Sequence, residues 1–151
     1  MRSVVQRVSS ASVTVDGEVV GAIDRGVLIL VGVQRGDTEA DALATARKIA
    51  GLRIFPSETK AMDRALSDVD GACLVVSQFT LAATLSKGRR PGFDQAEDPA
   101  LAAPLVQRVV AELEAQGLPV AQGRFGASMQ VALVNEGPAT LLVFAEGGKC
   151  L

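Results

Sequence analysis

The chain has no histidine, no tryptophan and no tyrosine, and only two cysteines in 151 residues. Without histidine the commonest general base is missing, and a Ser or Cys nucleophile activated by the usual triad is excluded. The cysteines, Cys73 and Cys150, form neither a disulfide framework nor a metal-binding spacing. Cys73 falls in an apolar run and reads as a small core residue. Cys150 reads as an inert surface thiol in a frayed Gly-Gly-Lys-Cys-Leu tail. There is no Gly-x-Ser-x-Gly elbow and no phosphate-cradling Gly-x-x-x-x-Gly-Lys. Aromatic residues make up 3%, which weakens any reading built on stacking of nucleic-acid bases. The net charge of −2 supplies no general basic field, so a polyanionic partner would need a local patch. No apolar stretch reaches the ~18 residues of a membrane span. The first residues alternate instead of forming the apolar block of a signal peptide. A reducing, cytoplasmic location is expected, with no metal and no cofactor.

What the chain does have is aliphatic bulk. Hydrophobic residues make up 48%, enough for a folded core of Val, Leu, Ile and Ala. Met1 to Ser10 reads as a strand, and Ala11 to Val15 alternates into an Asp16-Gly17 hairpin turn that returns through Glu18 to Ile23. Val27 to Val33 is a near-continuous apolar run, as expected of a strand buried on both faces. Asp37 or Thr38 caps a first helix, with Asp41 placed as a capping-box partner and Gly51 at its end. Arg53 to Pro56 reads as a short strand, Ser57 to Asp70 as a loop, and Ala72 to Val76 as another buried strand. Pro99 opens a second helix whose apolar face is Leu101, Leu105, Val109 and Leu113, and Gly117-Leu118-Pro119 ends it. Met129, Val131 and Leu133 alternate along a strand, Gly137-Pro138 interrupts, and Thr140 to Phe144 is the last strand. This tally of about eight strands and two helices, without regular βαβ alternation, predicts a single α/β domain over residues 1–151. A barrel-like mixed sheet flanked by the helices would leave few exposed edges.

Three segments could carry chemistry. Ser77-Gln78-Phe79-Thr80 ends a buried strand, where hydroxyls could simply satisfy turn amides or successive N–H groups could form an oxyanion hole. Gly137-Pro138 is either an ordinary turn or a fixed cis-proline feature that aims its neighbouring carbonyls at one spot. Lys87-Gly88-Arg89-Arg90-Pro91 is either solvated surface or a compact basic loop suited to a phosphate backbone.

Together these segments resemble the D-aminoacyl-tRNA deacylase family, of the D-tyrosyl-tRNA(Tyr) type, nearly end to end. Met1-Arg2 through Val8 is similar to its opening strand, Ser77 to Leu81 to its first active-site motif, and Asn135-Glu136-Gly137-Pro138-Ala139-Thr140 to its Gly-cisPro motif. Lys87 to Pro91 and Gly123 to Ala127 also fit. The resemblance implies hydrolysis of the ester joining a D-amino acid to the 3′-terminal adenosine of tRNA, with glycyl-tRNA mischarged on tRNA-Ala also accepted. It implies a homodimer with each site at the interface, where Gly137 and Pro138 of one subunit enter the pocket of the other and exclude L-side chains. Ser77, Gln78, Phe79 and Thr80 would form the catalytic segment, acting by backbone amides and the tRNA's own 2′-OH, with Thr80 in a positioning role. Met129 and Asn135 would line the substrate pocket, Arg7 would brace the Gly-Pro turn, and Lys87, Arg89 and Arg90 would meet the tRNA. The chain departs from the family's pattern around Met62-Asp63-Arg64-Ala65 and in its tail. A non-catalytic module binding a tRNA end or small ligand, and a trimeric deaminase-like repair enzyme, are the competing readings.

Overall fold

The computed structural model describes residues 1–151. The N-terminal alternation forms one long strand, β1 (Arg2–Val15), which turns at Asp16-Gly17 into β2 (Glu18–Ile23) and then β3 (Gly26–Gly32). Helix α1 (Glu39–Gly51) is followed by a 3-10 turn (Leu66–Val69) and β4 (Ala72–Ser77). A second 3-10 turn (Phe79–Ala82) leads through a loop to α2 (Pro99–Ala115), β5 (Val120–Gln122), β6 (Gln130–Glu146) and β7 (Lys149–Cys150). The seven strands make one mixed sheet in the order β5-β4-β3-β1-β6-β7, with β2 on the second half of β1. Only β3–β4 and β4–β5 are parallel.

The sheet curls into a half-barrel. β2 is carried round by the twist of β1 until it lies against β5, and Gly21 permits this, because a Cβ there would collide with the Gln122 carbonyl. Leu28, Leu74, Val76, Val8 and Val13 fill the inside of the curl. Val5, Ile29, Val31, Val75 and Val143 face the other way, toward Ile49 of α1 and Val109 and Leu113 of α2. The apolar run of β3 serves both clusters, which is why it lacks alternation.

Both helix starts follow their signals. The Asp41 carboxylate accepts from the Thr38 N–H at 2.8 Å, and Asp98 accepts from the Ala100 N–H ahead of Pro99. The buried face of α2 differs from the expected one. Ala102, Val106, Val109, Val110 and Leu113 are buried, whereas Leu101 is 61% exposed. A stripe at every fourth residue rotates by about 40° per step on a helix of 3.6 residues per turn, so Leu101 to Leu113 begins on the solvent side and ends inward. Pro104 inside α2 costs about 3 kcal/mol. Burying Val106, Val109, Val110 and Leu113, at about 1.5–3 kcal/mol each, outweighs it.

Other departures are local. Arg53 to Pro56 is not a strand; Phe55 makes only an isolated bridge to Arg64. Gly137-Pro138 does not divide the last strand in two. β6 runs through it, and its register on β1 jumps from Thr140↔Gln6 to Asn135↔Val8, so that residues 136–139 bulge from the ladder. The tail is not frayed: Gly147-Gly148 turns β6 into β7. Cys150 is half-buried there, its Sγ 3.3 Å from the Ala44 carbonyl. Burial pushes the Cys73 thiol up to about 12, so it stays protonated and unreactive. No helix is long and apolar enough to cross a membrane.

Candidate active site

At the C-terminal end of β4 the chain leaves the sheet as a tight turn. The Gln78 N–H donates to the Val31 carbonyl at 2.7 Å, the last tie to β3, and the Leu81 N–H closes the turn on the Gln78 carbonyl at 3.2 Å. Gly32 makes room for this, because a Cβ there would lie 2.8 Å from Leu81 Cβ and 2.9 Å from the Gln78 carbonyl oxygen. Between those ties, the N–H groups of Phe79 and Thr80 donate to nothing within the chain. Two adjacent amides, both on exposed residues, are thus left free to meet water or a ligand. The Gln78 side-chain amide donates to the Thr80 hydroxyl at 2.6 Å and so fixes that side chain across the turn.

Ser77, Gln78 and Phe79 line one side of a cavity of about 440 Å³, which also takes in Phe93, Phe125 and Arg35. Phe79 and Phe93 meet edge to face, with ring centroids 5.1 Å apart, a favoured aromatic geometry. The chain has five phenylalanines, and three of them gather here. Phe93 was not expected at the site. The scarcity of aromatics was the available signal, since an aliphatic core has no need of phenylalanines in loops.

The second motif stands apart from this cavity. Gly137 and Pro138, joined by a cis peptide bond, lie exposed in the β6 bulge and do not line the cavity of their own chain. Arg7 lies beneath them. Its guanidinium is buried and donates to three carbonyls: Glu136 (Nε, 3.2 Å), Gly137 (Nη2, 3.5 Å) and, by a short bond from Nη1, Ile54. The Glu136 carboxylate approaches no closer than 3.9 Å, so carbonyl dipoles do most of the neutralising. The Asn135 side-chain amide donates to the Arg7 carbonyl at 2.9 Å, tying the bulge to β1, and to the Ala139 carbonyl at 3.3 Å, joining the two ends of the bulge. Asn135 and Arg7 therefore belong to the bulge and not to the cavity.

Met129, expected in the substrate pocket, does not line this cavity and borders a separate hollow with Thr14, Asp16 and Gln130. Its sulfur accepts from the Arg124 N–H at 3.4 Å and supports the turn that carries Phe125. The loop bearing Lys87, Arg89 and Arg90 is closed at its base by the Thr84↔Gly92 bridge, and all three side chains are exposed. None of them takes part in a salt bridge. No group of three or more Cys, Asp or Glu is placed to hold a metal ion. What the turn offers chemically is a free amide donor at Phe79, on the cavity and beside apolar rings, and a second at Thr80 next to it.

Comparison with known proteins bears on this arrangement. The family model described as D-Tyr-tRNA(Tyr) deacylase matches residues 4–144. The D-aminoacyl-tRNA deacylase of Roseiflexus castenholzii is 57% identical over 143 residues, 95% of this chain and 91% of that protein. Among solved structures, one described as c-Myc DNA unwinding element binding protein superposes with a TM-score of 0.90 at 37% identity, covering 97% of this chain and all of the other. A second, described as a probable eukaryotic D-amino acid tRNA deacylase, gives a TM-score of 0.79 at 20% identity over 93% of this chain and 97% of its own, and supports the fold.

Proposed function

The chain belongs to the D-Tyr-tRNA(Tyr) deacylase family, hydrolases of the aminoacyl-tRNA ester bond, and we propose how its own residues perform that reaction. The observation that carries the reading is the pair of unpartnered N–H groups at Phe79, which lines an apolar cavity, and at Thr80, which follows it in the same turn. Water attacks the ester carbonyl carbon, and the carbonyl oxygen, as it gains charge, is received by those two amides. Donors of this kind are typically worth about 100- to 1000-fold each in rate. The C–O bond to the ribose 3′-oxygen then breaks, that oxygen takes a proton, and free amino acid and tRNA leave. An ester has a good enough leaving group to need no histidine, and the neighbouring 2′-OH of the terminal ribose can relay the proton. Thr80, held by Gln78 and without a base, positions and does not attack. The phenylalanine rings give the terminal base a flat apolar seat, and Lys87, Arg89 and Arg90 meet the phosphate backbone beyond it.

Stereochemical selection falls to Gly137 and Pro138 acting from a second copy of the chain. Within one chain the bulge is exposed and lies outside the cavity. Beyond the bulge, one face of β6 also leaves Leu142 and Phe144 at 65% and 38% exposure, apolar surface suited to a partner. Carbonyls braced by Arg7 would clash with an L-side chain and pass a D-side chain. Glycine has no side chain to reject, so glycyl-tRNA mischarged on tRNA-Ala passes too. The reaction is placed in the cytoplasm, with its charged tRNA.

The test is deacylation of matched D-Tyr-tRNA and L-Tyr-tRNA by purified protein with EDTA present. Loss of the D-ester alone is expected. Loss of both would remove the selection role, and loss of neither with tRNA still bound would leave only a binding module.

A further inference from the structure

The third carbonyl on the Arg7 guanidinium comes from a distant segment. Ile54 is 47 residues away in sequence, and it sits between two clamps that close the loop 53–64 upon itself. On one side, Arg53 donates from Nε to the Asp63 carbonyl and from Nη2 to the Asp63 carboxylate, both at 2.5 Å. On the other, Phe55 and Arg64 exchange backbone bonds of 2.9 and 2.8 Å, and the Asp63 N–H adds a third to the Phe55 carbonyl at 3.0 Å. The Phe55 ring is fully buried, with the Arg25 guanidinium 5.4 Å from its centroid. The residues on either side of Ile54 are therefore held, and the Ile54 carbonyl can face only the guanidinium.

We propose that this clamp is a positioning device for stereochemical selection: it fixes the Ile54 carbonyl, which orients Arg7, which holds the Gly137 carbonyl where an L-side chain would meet it. Arg53 and Phe55 are positioning residues and touch no substrate. The inference rests on the reading of Gly137 and Pro138 given above. A buried guanidinium shared among carbonyls has few alternative orientations, because each donor left unpaired in the interior is penalised. Loosening one leg therefore shifts the other two, and a shift of about 1 Å at a selecting group is enough to change rates about 100-fold.

Arg53→Ala removes both Arg53 contacts at an exposed side chain, and Phe55→Leu loosens the buried anchor. Rates on D-Tyr-tRNA and L-Tyr-tRNA are measured for each, beside Ile49→Val, a core change in α1 that lowers stability and leaves every hydrogen bond of the clamp in place. The ratio of D to L rates should fall about tenfold or more in Arg53→Ala and Phe55→Leu and stay unchanged in Ile49→Val. An unchanged ratio in both clamp variants, while Pro138→Ala lowers it, would overturn the clamp and leave the selection reading standing. A ratio indifferent to Pro138→Ala as well would bring down the selection reading, and the clamp with it. An equal fall in Ile49→Val would reduce the effect to general loosening and also overturn the proposal.

Discussion

At the scale of single residues, the candidate site leaves backbone N–H groups free and uses side chains to hold its carbonyls and its hydroxyl. Arg7 is the clearest case. Replacing it by methionine keeps the stem and removes the head, leaving the Ile54, Glu136 and Gly137 carbonyls without their donor. Arg7→Met should cost about 2–3 kcal/mol in urea unfolding, near 1 kcal/mol for each abandoned acceptor. A loss under about 0.5 kcal/mol would mean that water serves those carbonyls equally well. Thr80 tests the opposite side of the same idea. Thr80→Val deletes the hydroxyl that Gln78 holds but keeps the N–H. Single-turnover deacylation should then fall by about tenfold or less, whereas loss of a true nucleophile costs about 10⁴-fold or more.

At the scale of elements, local signals were legible and long-range ties were not. The Thr38-to-Asp41 spacing announced the start of α1, but nothing in it announced that Asp41 also accepts from the Gly148 N–H at 2.8 Å, pinning the β6–β7 turn to the helix. Burial alone would raise the Asp41 pKa. The N–H groups of Gly148 and Thr38, with the Met1 ammonium nearby, outweigh it and hold the carboxyl below its usual value. A folded pKa below the unfolded one means stability that is fully present above the unfolded value and lost as pH falls through the folded one. Asp41→Asn should therefore cost about 1–2 kcal/mol at pH 7, and the gap between variant and parent should close in acid, below the usual carboxylate range. Urea titrations at the two pH values check this, and a gap that persisted in acid would refute it. The α2 stripe went wrong for a related reason: an every-fourth-residue pattern gives a helix but not the phase of the face that the sheet covers. The same limit applies to Gly137-Pro138, where the dipeptide showed a break but not that β6 continues beyond it, since that depends on β1 supplying pairing partners on both sides.

At the scale of the whole molecule, the two motifs that carry the family resemblance are separated within one chain, one at a cavity and the other on an exposed bulge. Spacing in the sequence gives no measure of that separation; only the curl of the sheet, which sets the end of β4 and the middle of β6 on different surfaces, makes it visible. The separation can be tested because Gly137 has room. A Cβ there would have no atom outside its chain neighbours nearer than Asn135 Oδ1 at 3.8 Å, so Gly137→Ala fits the fold of its own chain. Any loss of deacylation must then arise where the bulge meets something else. If that is the cavity of a second copy, Gly137→Ala impairs its partner's site and Gln78→Ala impairs its own. Unfolding and refolding the two together in equal amounts then restores one intact site in each mixed dimer. Random pairing in a two-fold assembly makes half the dimers mixed, so about a quarter of parental activity should return. No recovery, with mixed dimers shown to have formed, would place Gly137 and Gln78 in the service of the same chain and would require the bulge to move toward its own cavity.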